Sequence, residues 1–136
     1  MRNWRILSLV AVFIAAIVVW QILPQAAQSE EMKLPKGVTL TTKEFGSQGI
    51  PGVKKVTWNR LQIVPGAEWP NMVQPVKTWD FCYELSGTMS VKGADGKISQ
   101  VKAGTMYTIA PDTKIPLLFN TGKVPAVDIF WEIEVE

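Results

Sequence analysis

Two strand-like runs at residues 88–91 and 97–101, joined by Gly93-Ala94-Asp95-Gly96, are the pattern that most constrains this chain. Asp-Gly between two such runs is a strong hairpin signal, because a tight turn matched to strand twist needs positive φ. Other runs read as strands too: a threonine-rich one at 38–45, a longer one at 56–64 that stops at Pro65-Gly66, one at 80–85, and one at 127–135. Glycine and proline punctuate the intervals, as in the 46–52 loop. Along 80–85 the two-residue period puts Asp80, Cys82 and Glu84 on one face and Phe81, Tyr83 and Leu85 on the other. In 127–135, Ile129, Trp131, Ile133 and Val135 alternate with Asp128, Phe130, Glu132 and Glu134, which predicts a half-buried strand with an acidic outer face. Residues 67–76 contain Trp69, Pro70, Asn71 and Pro75, show no strand pattern, and read as a loop stiffened by two prolines.

The N-terminus is of a different kind. Residues 6–23 are apolar except for Ser8 and Gln21, follow Arg2 and Arg5, and have Trp4 and Trp20 near their ends. That length exceeds the roughly 7–15 residues of a secretory apolar region and approaches the roughly 20 that span a bilayer. Two readings stand: a signal peptide cleaved near Ala27-Gln28-Ser29, and an uncleaved anchor, which the length and β-branched content favour. Both export the chain beyond the apolar run, because the arginines hold the N-terminus in the cytoplasm. The expected organisation is a cytoplasmic N-terminus (1–5), a transmembrane signal anchor (6–23), a tether (24–36) and a β-domain (37–136). The domain is expected on the periplasmic side of the inner membrane.

The chain has no histidine. Nucleophile systems pairing serine or cysteine with histidine are therefore excluded, and no Walker loop, dinucleotide fingerprint or CxxC occurs. The net charge of +2 traces to Arg2 and Arg5, so the exported part is neutral and offers no basic stripe to a nucleic acid. The single cysteine, Cys82, cannot form an internal disulfide and reads as a buried thiol.

Pro65-Gly66, the segment from Trp79 to Gly87, Ala103-Gly104, Ile109-Ala110-Pro111 and Asn120 together resemble the two motifs of the cupins. The resemblance covers about the last hundred residues and implies an all-β, cupin-like β-barrel (jelly roll), here preceded by one N-terminal transmembrane helix. It also places Asp80 where the family carries an acidic metal ligand. The first-motif histidine positions fall on Gln74 and Val76 in one register, or on Met72 and Gln74 in the other, and Pro116 stands where the third is expected. Imidazole makes such barrels iron, manganese or zinc sites, so neither metal nor other cofactor is expected.

Gln74, Asp80, Cys82 and Glu84 are the cavity candidates, and Trp69 and Trp79, flanking the mouth loop, are the interface candidates, although Trp69 serves equally as a core cap. No catalytic residue is assigned. The expected function is binding, as an accessory or stabilising subunit of a larger membrane protein complex, photosynthetic or respiratory, with a homodimer left open. The alternative is a periplasmic small-molecule-binding protein, or a metal-independent enzyme of isomerase or lyase type using Asp80 and Glu84.

Overall fold

Alternating side chains and β-branched residues produce strands throughout the computed structural model, which describes residues 33–136. The expectations for the N-terminus, the anchor at 6–23 and most of the tether lie outside these residues. Among the described residues no helix is long and apolar enough to cross a membrane. The strands are β1 (Val38–Gly46), β2 (Val53–Ile63), β3 (Glu68–Val73), β4 (Thr78–Ser86), β5 (Thr88–Lys92), β6 (Ile98–Lys102), β7 (Met106–Ile109), β8 (Lys114–Phe119) and β9 (Ala126–Val135).

They form two antiparallel sheets, one in the order β1-β2-β9-β4-β7 and one in the order β3-β8-β5-β6. This is the all-β jelly roll expected from sequence. Leu61 and Ile63 of β2, Met89 of β5, Ile115 and Leu118 of β8 and Ala126 of β9 pack together as the core. Burying a side chain such as Ile63 contributes about 1.5–3 kcal/mol.

The hairpin forms as the sequence predicts. β5 pairs with β6, and the Gly93 amide donates to the Lys97 carbonyl at 2.9 Å. Gly96 takes the positive φ, at 79°. Gly87, between β4 and β5, has φ 76°, and an added Cβ would lie 2.5 Å from the Pro125 carbonyl oxygen. Only glycine fits this close crossing of the β4–β5 link over the entry to β9.

Two expectations are corrected. Residues 67–76 are not a strandless loop, because Glu68–Val73 pairs with β8 and even Pro70 lies in register, opposite Leu117. β3 is an edge strand, where the N–H that proline lacks has no ladder partner to lose. The faces of β9 are also the reverse of those expected. Asp128 is buried and Trp131 is exposed, so the acidic side of this strand turns inward at Asp128 and the aromatic side turns out. Further along β9, Glu134 is met by Lys54, with Nζ to Oε1 at 2.6 Å.

Candidate functional site

β4 sets the site. Its residues alternate strictly, with Thr78, Asp80, Cys82 and Glu84 buried inside the barrel and Trp79, Phe81, Tyr83 and Leu85 exposed outside. Both neighbours continue the inner row: Asp128 of β9 stands opposite Glu84, Phe130 opposite Cys82, and Tyr107 of β7 opposite Cys82 on the other side. Asp80, Cys82, Tyr107, Asp128 and Phe130 line a cavity of about 450 Å³, whose remaining wall includes Leu61, Met72, Met89, Ile115 and Leu118. The exposed Ala110 and Lys114 belong to its rim.

Each acid has a distinct environment. Gln74, buried just before β4, donates from Nε2 to Asp80 Oδ1 at 2.7 Å and to the Thr78 carbonyl at 3.1 Å. Burial nevertheless pushes Asp80 up to about 6, Gln74 opposing this and the Glu132 charge adding to it. The Tyr107 hydroxyl donates to Asp128 Oδ2 at 2.8 Å, leaving Oδ1 with no partner. Asp128 rises to about 7, chiefly through burial, which the Tyr107 hydrogen bond opposes and the Asp80 charge reinforces.

Glu84 is fully buried, and neither of its oxygens makes a hydrogen bond. Burial first and the Asp128 charge second push it up to about 8; the Val127 amide opposes, without a hydrogen bond of full geometry. Burial likewise pushes the Cys82 thiol and the Tyr107 hydroxyl well above their ordinary values. Burial thus disfavours the ionised, nucleophilic form of the thiol.

The four cavity candidates thus fall into three positions. Asp80 and Cys82 line the cavity, Gln74 orients Asp80 from behind, and Glu84 stands beside Asp128 outside the wall. Asp128 and Tyr107 are the residues that sequence reasoning missed. An acid in a strand otherwise rich in apolar side chains was the available signal, but the assumption that apolar means inward assigned it to solvent. Of the two motif registers, the one holding Met72 and Gln74 points inward, since Met72 lines the cavity, whereas Val76 is 71% exposed. A thioether, an amide and one carboxylate do not fit the transition metal of the metal-binding cupins. Among the described residues no group of three or more Cys, Asp or Glu side chains is placed to hold a metal ion.

A second feature lies on the opposite face of the five-stranded sheet. Trp79 pairs with Ile133, Phe81 with Trp131 and Tyr83 with Ile129 across β4 and β9, and Met106 of β7 follows beside Tyr83. Trp79, Phe81, Tyr83, Met106 and Trp131 are all substantially exposed, Met106 at 80%. A shallow groove of about 540 Å³ runs over Phe81, Tyr83, Met106, Ile129 and Trp131. Trp131 leans on Phe45, with ring centroids 5.7 Å apart. Trp79 belongs to this face. Trp69 packs against the core instead, which is the cap alternative of its two sequence readings.

No family model matches the chain, and no curated protein matches it. Solved structures do. An uncharacterised conserved protein with a double-stranded β-helix domain from Klebsiella pneumoniae is 17% identical over 74% of this chain and 80% of that one, with a TM-score of 0.60. A cupin domain from Bordetella pertussis is 20% identical over 77% and 98%, at 0.54. The Cupin_2 domain of an XRE family transcriptional regulator from Enterobacter cloacae is 16% identical over 71% and 97%, at 0.53. The described residues therefore have the cupin, or double-stranded β-helix, fold. At these identities the likeness carries the fold alone.

Proposed function

We propose that this chain works by binding, as an accessory subunit that docks another protein on the outer face of its five-stranded sheet. The observation that carries this reading is the exposed row of Trp79, Phe81, Tyr83, Met106 and Trp131. Contiguous apolar patches on soluble surfaces are usually small, and larger ones mark interaction sites. Tryptophan and tyrosine are also the residues that most often anchor such interfaces. The apolar run at 6–23 supports the remainder of the proposal: it would hold the domain at the periplasmic surface of the inner membrane, beside a membrane protein complex. The test is extraction in mild detergent and gentle purification of wild type and of a Phe81→Ser/Trp131→Ser variant. A partner of defined stoichiometry that leaves with wild type and is lost with the variant is the expected result. Wild type emerging alone as a monomer sinks the proposal, and a homodimer broken by the variant assigns the face to a second copy.

A second reading is a small-molecule-binding barrel, favoured by the 450 Å³ cavity with Asp80, Tyr107 and Asp128 in its wall. Apolar pockets with a few converging polar groups are the usual form of ligand sites. An acid-base enzyme using Asp80 and Glu84 has less support, because Glu84 stands outside the cavity wall.

A further inference from the structure

Asp80, Glu84 and Asp128 lie in one another's fields inside this barrel, with Glu132 opposite Asp80, and among the described residues no ion pair balances the three. Among the described residues, the ion pairs involve Lys54, Lys55 and Lys97 with Glu44, Asp95 and Glu134, and none includes Asp80, Glu84 or Asp128. Lys114 is at the cavity rim but exposed. Asp128 is only 2% exposed and forms part of the cavity wall; Tyr107 holds its Oδ2, while the nearby Tyr83 and Ile129 amides give Oδ1 no hydrogen bond of full geometry. Native proteins rarely leave such an atom unsatisfied unless the site has a function.

We propose that the cavity binds a small primary ammonium with an apolar body, held by the Asp80 and Asp128 carboxylates of its wall. The proposal rests on the second reading above, that the barrel takes a small molecule. An anion is disfavoured by the Asp80 and Asp128 carboxylates in the wall. A neutral ligand leaves the acids unbalanced, whereas a charged donor to a carboxylate makes a hydrogen bond roughly twice as strong as a neutral pair.

The other features of the site narrow the class. Tyr107 fixes the Asp128 carboxylate through Oδ2, and a quaternary ammonium has no N–H to donate to either wall carboxylate. The remaining wall, with Leu61, Met72, Ile115 and Leu118, suits a hydrocarbon body. Phe130 adds an aromatic surface that favours cations. A cation arriving beside the acids also favours their ionised forms, so binding expels a proton near pH 7.5, where Glu84 is still largely protonated.

The experiment is isothermal titration of the full chain in detergent at pH 7.5 with benzylamine, benzyl alcohol and benzyltrimethylammonium, with the heats of empty micelles subtracted. Benzylamine is expected to bind once per chain, at least tenfold more tightly than either analogue. Its heat should vary with the ionisation enthalpy of the buffer, as proton release requires. The isosteric Asp128→Asn variant should lose at least tenfold in benzylamine affinity, and Glu84→Gln should lose the buffer dependence, with circular dichroism confirming the fold of each. Benzyl alcohol binding as tightly as benzylamine overturns the ammonium while leaving the small-molecule barrel standing. Failure of all three probes to bind removes both.

Discussion

Glu84 and Asp128 stand directly opposite each other across β4 and β9, both buried, and three of their four carboxylate oxygens have no hydrogen-bond partner. Directly opposed residues in an antiparallel pair place their Cβ atoms about 4.5–5.5 Å apart. Two carboxylates on directly opposed side chains, away from water, disfavour each other's ionisation.

The consequence is an inverted pH dependence of stability. Asp80, Asp128 and Glu84 hold protons in the folded protein up to about 6, 7 and 8 respectively, whereas the unfolded chain releases them near pH 4. Between those limits the folded state binds more protons, so the stabilisation present below about pH 4 is lost as pH rises through 6 to 8. Thermal denaturation should show a falling Tm from pH 5 to pH 8.5, corresponding to a few kcal/mol in total. Glu84→Gln should flatten the upper part of that fall and raise stability by about 1–3 kcal/mol at pH 8.5, because the amide occupies the same volume without a charge to desolvate. A Tm that climbs over this range would contradict the assignment.

Gly87→Ala is expected to be severe. The new Cβ would meet the Pro125 carbonyl oxygen at 2.5 Å and the Ala126 Cα at 2.9 Å, on a backbone with φ 76°. Positive φ alone costs an L-residue about 1–2 kcal/mol, and the clash is with backbone, which cannot rotate away. Urea denaturation should show a loss of roughly 3 kcal/mol or more. Gly96→Ala makes the control: it has the same sign of φ with nothing within 4 Å, so only the conformational cost should appear.

The hairpin and the faces of β4 were legible because each rests on a local rule, Asp-Gly for the turn and period two for the strand. β3 was hidden by Pro70, since only the finished topology shows that this strand is an edge. The inner face of β9 was misread for a different reason. Periodicity separates two faces without saying which one is inside, and here Ile129, Trp131 and Ile133 form the outward row. The acid cluster could not be assembled from sequence, because Tyr107 and Asp128 reach Asp80 and Glu84 through strand pairings that join distant segments.

The two tryptophans singled out in the sequence should separate cleanly in experiment. Trp69 packs on the core and Trp79 sits on the exposed sheet face. Trp69→Ala should therefore cost about 2–4 kcal/mol of folding stability. Trp79→Ala should change stability by less than about 1 kcal/mol and instead weaken partner association, by about 2 kcal/mol if it is an anchor. Chemical denaturation reads the first effect and co-purification the second. Partner loss from Trp69→Ala in a fully folded protein, with Trp79→Ala silent, would move the interface to the other sheet.

Asn120, one of the residues carrying the cupin resemblance, has a purely structural role that a single substitution can test. It is 1% exposed. Its Nδ2 donates to the carbonyls of Ile63 at 2.8 Å and Val124 at 2.9 Å, while Oδ1 accepts from the Gly122 amide at 2.8 Å. The Asn120 backbone is engaged as well, accepting from the Gly66 amide and donating to the Ala67 carbonyl. One side chain thereby ties the end of β2 to the loop that leads into β9. Asn120→Ala strands two carbonyls and one amide and should cost roughly 2–4 kcal/mol, since each buried group left unsatisfied costs about 1–3 kcal/mol and water entering the loop recovers part of it. Asn120→Asp should be at least as damaging, because it keeps the acceptor for Gly122 but turns a second oxygen toward two carbonyls. Urea titration at pH 7 should show the midpoint falling for both variants with an unchanged m-value. A midpoint within error of wild type for Asn120→Asp would mean that the Ile63 and Val124 carbonyls do not depend on this donor.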